Sequence, residues 1–118
     1  MKSPVERVHN MKFAGVYPHY VTKAERKGKT KEEVDEIIFW LTGYNAQALE
    51  MILNNETTFA DFFNNAPELN ANAHKITGVI CGDRIENIED DIFKKVRYLD
   101  KLIDELAKGR SMDKILRK

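Results

Sequence analysis

The sequence predicts an all-α fold: one domain over residues 1–118, a bundle of about five to seven helices gathered around a long C-terminal helix. Three observations carry that prediction. From Glu89 to Lys108 the residues Ile92, Val96, Leu99, Ile103 and Leu106 fall at steps of four, three, four and three, which is one stripe of a helix. From Thr30 onward a second stripe, Val34, Ile37, Ile38 and Leu41, follows a strong helix-start signal. Strand-like composition is confined to Lys75–Cys81, and a strand needs a partner that no other run supplies.

Taken in order, Met1 to Asn10 reads as a polar, frayed start. Met11 to Val16 is a short helical turn weakened by Gly15, and Tyr17-Pro18 begins a cleaner helix. Pro18 fits a first helical position, where a missing N–H costs nothing. That helix is expected to run to Lys27 and stop at Gly28, with Tyr17, Val21 and Ala24 on one face and Tyr20 beside them.

Thr30-Lys31-Glu32-Glu33 is a capping box, a hydroxyl for the N3 amide and a Glu at N3 reaching back. Trp40 borders the stripe that follows, whereas Phe39 falls off it. Gly43 ends this helix. Asn45 caps another, with Ala46, Leu49, Ile52 and Leu53 inward. Thr57 or Thr58 caps a short segment whose Phe59, Phe62 and Phe63 share a face, and Pro67 closes it. Lys75–Cys81 is assigned helix, from near Asn70 or Asn72, with Gly78 and Gly82 on one face open to close approach. Ile85 and Ile88 lead into the long helix, whose first turn is approached through Glu86, Glu89, Asp90 and Asp91, favourable at the positive end of the dipole. Gly109 is placed as its C′ glycine. Ser111 caps a last piece with Met112, Ile115 and Leu116 as its apolar side.

At 118 residues the chain has the length of one domain. No apolar run approaches the roughly 18 residues of a membrane span, and the start lacks signal-peptide order. The single cysteine, Cys81, has no internal disulfide partner, so a cytoplasmic setting is the expectation. The net charge of zero conceals a pattern. Residues 1–31 hold eight basic against two acidic residues, +6; residues 32–93 hold two against thirteen, −11; residues 94–118 hold nine against four, +5. The preferred reading is that the ends fold onto the acidic middle and screen it. The sharper alternative is that they converge into an anion or nucleic-acid patch.

Tyr17-Pro18-His19-Tyr20-Val21-Thr22-Lys23-Ala24-Glu25, Thr30 to Ile38 and Trp40-Leu41-Thr42-Gly43-Tyr44 resemble a small bacterial family known only as a domain of unknown function, number 2200 of that series. Ile76-Thr77-Gly78-Val79-Ile80-Cys81-Gly82 and Tyr98 to Gly109 resemble its other signatures. The resemblance extends from about Met11 to Lys118. It implies an all-helical orthogonal bundle and brings no reaction, cofactor or catalytic residue.

The most site-like feature is the cluster Tyr17, His19 and Tyr20, which would bind a small ligand or shuttle a proton if Trp40 and Tyr44 line the same pocket. The plainer reading keeps the aromatics in the core and His19 on the surface. Asp100 and Asp104, one turn apart near Arg97 and Lys101, read as ion pairs on a solvated face rather than a metal or acid–base pair. His9, His19 and His74 are dispersed, so no metal and no cofactor is expected. Cys81, between Ile80 and Gly82, reads as a buried small hydrophobe. The basic stretches Lys23–Lys29 and Gly109–Lys118 lack the aromatic interleaving of single-strand binders.

The expectation is therefore a non-catalytic binding or interaction protein of uncharacterised function, acting on itself, a protein partner or a small, anionic ligand. The alternative is a small enzyme or metabolite sensor with a pocket around His19, Tyr20, Trp40 and Tyr44. Weak nucleic-acid binding through the basic termini ranks third, and no membrane partner is expected.

Overall fold

The computed structural model describes residues 3–117. Helices α1 (Pro4–Asn10), α2 (Phe13–Glu25), α3 (Lys31–Thr42), α4 (Ala46–Leu53) and α5 (Phe59–Asn64) precede a short antiparallel hairpin, β1 (Val79–Ile80) and β2 (Asp83–Arg84). Helices α6 (Asp91–Ala107) and α7 (Met112–Ile115) follow. The protein is a helical bundle, and α6 is its axis: α1, α2, α3, α5, α7 and β1 all pack on it. The stripe read from the sequence faces those neighbours, with Leu99, Ile103 and Leu106 at most 1% exposed. Asp90 caps α6 by accepting from the Phe93 amide at 2.8 Å. Among the described residues no helix is long and apolar enough to cross a membrane.

The capping box at Thr30 is present in both directions. Its hydroxyl accepts from the Glu33 amide at 3.1 Å, and the Glu33 carboxylate accepts from the Thr30 amide at 3.0 Å. At the other end of α3, Gly43 adopts a left-handed φ of 78° and donates to the Phe39 carbonyl. A methyl group at Gly43 would meet the Glu68 backbone N at 3.1 Å and O at 3.2 Å, whereas at Gly28, with φ 77°, nothing lies within 4 Å. Gly43→Ala is thus expected to cost about 1–2 kcal/mol from the left-handed backbone alone and more from the clash. Gly28→Ala is expected to show only the first part. Equal losses in paired denaturation curves would show that the contact with Glu68 is inconsequential.

Three sequence expectations change. The frayed start falls partly on residues 1 and 2, outside the described residues, but Pro4–Asn10 is helical, capped by the Ser3 hydroxyl. Helix α2 begins at Phe13 rather than at Tyr17-Pro18, and Pro18 lies inside it. The cause is tertiary. Phe13 N donates to Thr57 O and Phe59 N donates to Met11 O, both at 2.9 Å, and this bridge pins the chain just before a fully buried Phe13.

The third change is the largest. Residues 75–81 are not a helix: a single 3-10 turn, Ala73–Lys75, gives way to β1. Val79 pairs with Arg84 and Ile80 with Asp83, around a two-residue turn in which Cys81 (φ 53°) and Gly82 (φ 81°) are both left-handed. Such turns match the twist of the flanking strands. The partner strand is only Asp83–Arg84, too short and too polar to be seen as one in the sequence. Gly78 and Gly82 consequently share no helix face, and Cys81 is exposed at the tip rather than buried. The hairpin is fastened to α6 by Arg97 to Asp83 at 3.0 Å and by Lys101 to the Val79 carbonyl at 3.3 Å. Ile76, Ile80 and Ile85 anchor it in the core.

Candidate functional site

The hairpin tip comes to rest over the seam between α2 and α6, leaving a cleft of about 210 Å³ lined by His19, Tyr20, Lys23, Ile80, Cys81, Asp100 and Ile103. Helix α2 supplies one wall because His19, Tyr20 and Lys23 lie within little more than a turn. Helix α6 supplies the opposite wall with Asp100 and Ile103. Ile80 and Ile103 are buried and make an apolar floor. His19, Lys23 and Cys81 are exposed at the rim.

The polar wall is a connected chain. The Tyr20 hydroxyl donates to Asp100 Oδ1 at 2.7 Å, and Arg97 Nη1 donates to Asp100 Oδ2 at 2.6 Å. Arg97 Nε in turn donates to Asp83 of the hairpin, and its guanidinium lies 4.7 Å from the centre of the Phe93 ring. Both oxygens of Asp100 therefore have partners, which fixes the carboxylate in orientation. Burial pushes the Tyr20 hydroxyl well above its usual titration range, and the neighbouring Asp100 charge adds to this. Burial, then the Asp100 charge, likewise raises the Cys81 thiol. Both shifts favour the neutral forms, in which Tyr20 donates to Asp100. Lys23 gives one hydrogen to Asp104 at 3.1 Å. Burial opposes the ionisation of Asp104, but the hydrogen bonds from Lys108 and Lys23 outweigh it and hold the carboxyl below its usual range.

The residues singled out in the sequence do not share one pocket. His19 and Tyr20 line the cleft. Tyr17 is on a neighbouring turn, its hydroxyl donating to Asp35 while Lys31 lies 5.9 Å from its ring centre. Burial and then the Asp35 hydrogen bond raise the Tyr17 hydroxyl to about 12. Trp40 packs partly buried against the core, its carbonyl accepting from Asn70. Tyr44 is buried and donates to the Phe62 carbonyl at 2.6 Å. It borders a different groove, between α4 and α5.

Of the cleft residues, Lys23, Asp100 and Cys81 were each visible in the sequence under another reading. Asp100 pairs at i, i−3 with Arg97 and accepts from Tyr20, eighty positions away, so it is not on a solvated face. Only the Cys-Gly dipeptide between β-branched and polar residues signalled the turn that brings Cys81 there. Among the described residues no group of three or more His, Cys, Asp or Glu is placed to hold a metal ion. His9 pairs with Asp90 at 2.6 Å, and His74 bonds the Ala71 carbonyl.

A family model described as an uncharacterized protein conserved in bacteria, DUF2200, matches residues 7–117. The chain belongs to that family. A solved structure, the crystal structure of uncharacterized protein SP1917, is similar over 98% of this chain and 94% of its own, at 42% identity and a TM-score of 0.89. No curated protein matches the chain. Membership in DUF2200 leaves the function uncharacterised, and the fold is shared with the solved structure.

Proposed function

We propose that this protein binds, without turning it over, a small ligand bearing a carboxylate or similar anionic group, in the cleft between α2, α6 and the hairpin. The observation that carries this reading is the imbalance of hydrogen-bonding capacity in the cleft. Its acceptors are engaged, because Asp100 receives Tyr20 and Arg97, while Lys23 retains donors beyond the one given to Asp104, with His19 exposed beside it. A ligand that accepts from Lys23 and His19 and lays an apolar flank on Ile80 and Ile103 satisfies both halves of the site. The raised titration of Tyr20 and Cys81 supports recognition over nucleophilic chemistry. A cytoplasmic setting is part of the same proposal and is supported by the free, exposed Cys81 thiol.

The test is a thermal-shift series of small carboxylates and inorganic phosphate against matched neutral amides, on wild type, Lys23→Ala and the distant control Asp61→Asn. A ligand at a hundred times its dissociation constant adds about 2.7 kcal/mol of stability. The expected result is a rise in melting temperature with an anion but not with its amide, lost in Lys23→Ala and kept in Asp61→Asn. A rise of equal size with amides, or one that survives Lys23→Ala, would refute the assignment, as would the absence of any rise.

A further inference from the structure

Helix α4 is the part of the fold whose composition and burial disagree. Its sequence, Ala-Gln-Ala-Leu-Glu-Met-Ile-Leu, is apolar at all positions but Gln47 and Glu50, yet Leu49 is its one buried residue. Met51 is 62% exposed, more than Met11 at 45% or Val79 at 48%. At 100° per residue the apolar arc runs from Met51 through Ala48, Ile52, Leu49 and Leu53 to Ala46, more than half the circumference. The core takes only the middle of that arc. Each uncovered flank borders a groove of about 280 Å³. One lies toward α5, with Ala48, Met51 and Ile52 against Thr57 and Asp61. The other lies toward α3, with partly buried Leu53 against Phe39 and the Lys31–Asp35 ion pair at its edge. Phe39, off its own helix stripe, thereby has its place.

The α4–α5 side of this face is acidic, with Asp61 as the one charged residue of its groove lining. Residues 32–74 contain eight carboxylates and no lysine or arginine. Glu56 is paired with Lys12 and Asp35 with Lys31, but Asp61, in the α4–α5 groove, and Glu50, on the α3 side of α4, are exposed. Two copies meeting face to face through α4 would bring these carboxylates together, which disfavours that dimer. The chain's own basic C-terminal segment is committed elsewhere: Ile115 is 0% exposed, and Arg117 is held by Glu105 at 2.7 and 2.8 Å.

We infer that α4 and the groove between α4 and α5 form a docking surface for a basic amphipathic helix of another protein, with apolar side chains seated beside Met51 and Ile52 and lysines or arginines over Glu50 and Asp61. The mode is an amphipathic helix laid along an apolar groove, with charge complementarity setting the choice of partner. This surface is separate from the α2–α6 cleft, so either assignment can fail without the other.

The probe is a fluorescent amphipathic peptide of leucine and lysine at helical spacing, compared with its leucine–glutamate counterpart, by anisotropy at low and high salt and by backbone-amide NMR. The basic peptide is expected to bind at least about tenfold more tightly than the acidic one, to weaken with salt, and to shift the amides of Ala48, Met51, Ile52 and Asp61. Met51→Lys, at an exposed position, is expected to keep the wild-type melting temperature and abolish binding, and Asp61→Asn to weaken it severalfold. Equal binding of the two peptides, binding mapped to another face, or no binding would each overturn the inference. So would sedimentation showing a wild-type dimer that Met51→Lys dissociates, because the occupant would then be a second copy.

Discussion

Phe62→Ala is expected to destabilise the protein by about 3–5 kcal/mol. Phe62 is fully buried in α5, with its ring stacked on Phe13 at 4.1 Å between centres, edge-on to Phe63 at 5.0 Å and tilted against Tyr44 at 5.1 Å. Phe13 is itself pinned by the backbone bridge to the start of α5, so it has little freedom to move into the space vacated. The loss therefore combines the transfer term with a persistent cavity. A denaturant titration with unchanged slope should show the midpoint falling accordingly. Phe62→Leu, which keeps most of the volume, is expected to lose clearly less. A loss below about 1 kcal/mol for the alanine variant would mean that the aromatic cluster collapses freely, contrary to the packing described.

The second large effect is expected at the other end of the bundle. Glu105 is 7% exposed on α6, and the Arg117 guanidinium meets both of its oxygens at 2.7 and 2.8 Å, with Arg110 at 3.2 Å. Two parallel hydrogen bonds of this kind fix geometry as well as charge. Arg117→Met leaves a buried carboxylate with Arg110 as its remaining partner, and is expected to cost about 3 kcal/mol. The double variant Glu105→Leu, Arg117→Met removes both charges and is expected to recover much of that loss. A double-mutant cycle measures the coupling. If the double variant is as unstable as the sum of the singles, the pair is not acting as a unit and α7 is held by its apolar contacts alone.

Much of this architecture was legible because it is local. The capping box at Thr30, the end of α3 at Gly43 and the four–three spacing along α6 are each written within a few residues, and each has its counterpart in the structure. The start of α2 was misplaced because Pro18 is a local signal, whereas the bridge to Thr57 and Thr58 that sets Phe13 is not. The hairpin escaped because its second strand is Asp83–Arg84, which owes its pairing to a left-handed turn and to Arg97 on α6, not to β propensity. The cleft was half visible. His19 and Tyr20 stood out as a polar–aromatic cluster, but their partners Asp100 and Ile103 come from the far end of the chain, and Cys81 reaches them only through the turn. Trp40 and Tyr44 join His19 only if α2 and α3 bring them to one pocket, and Tyr44, in the turn after Gly43, instead donates to a carbonyl of α5.

The charge pattern also resolves in physical terms. Several basic residues of the two ends meet carboxylates of the middle or of α6: Lys12 with Glu56, Arg97 with Asp83, Lys23 with Asp104. These surface pairs contribute little stability individually.

The measurement that tests the cleft assignment most directly is a backbone-amide NMR titration of wild type with the small carboxylate giving the largest thermal shift. The account predicts saturable shifts confined to His19, Tyr20, Lys23, Cys81, Gly82 and the Asp100–Ile103 turn of α6, absent in Lys23→Ala. Shifts centred on Tyr44 and Asn65, or scattered over the exposed lysines with no saturation, would contradict it.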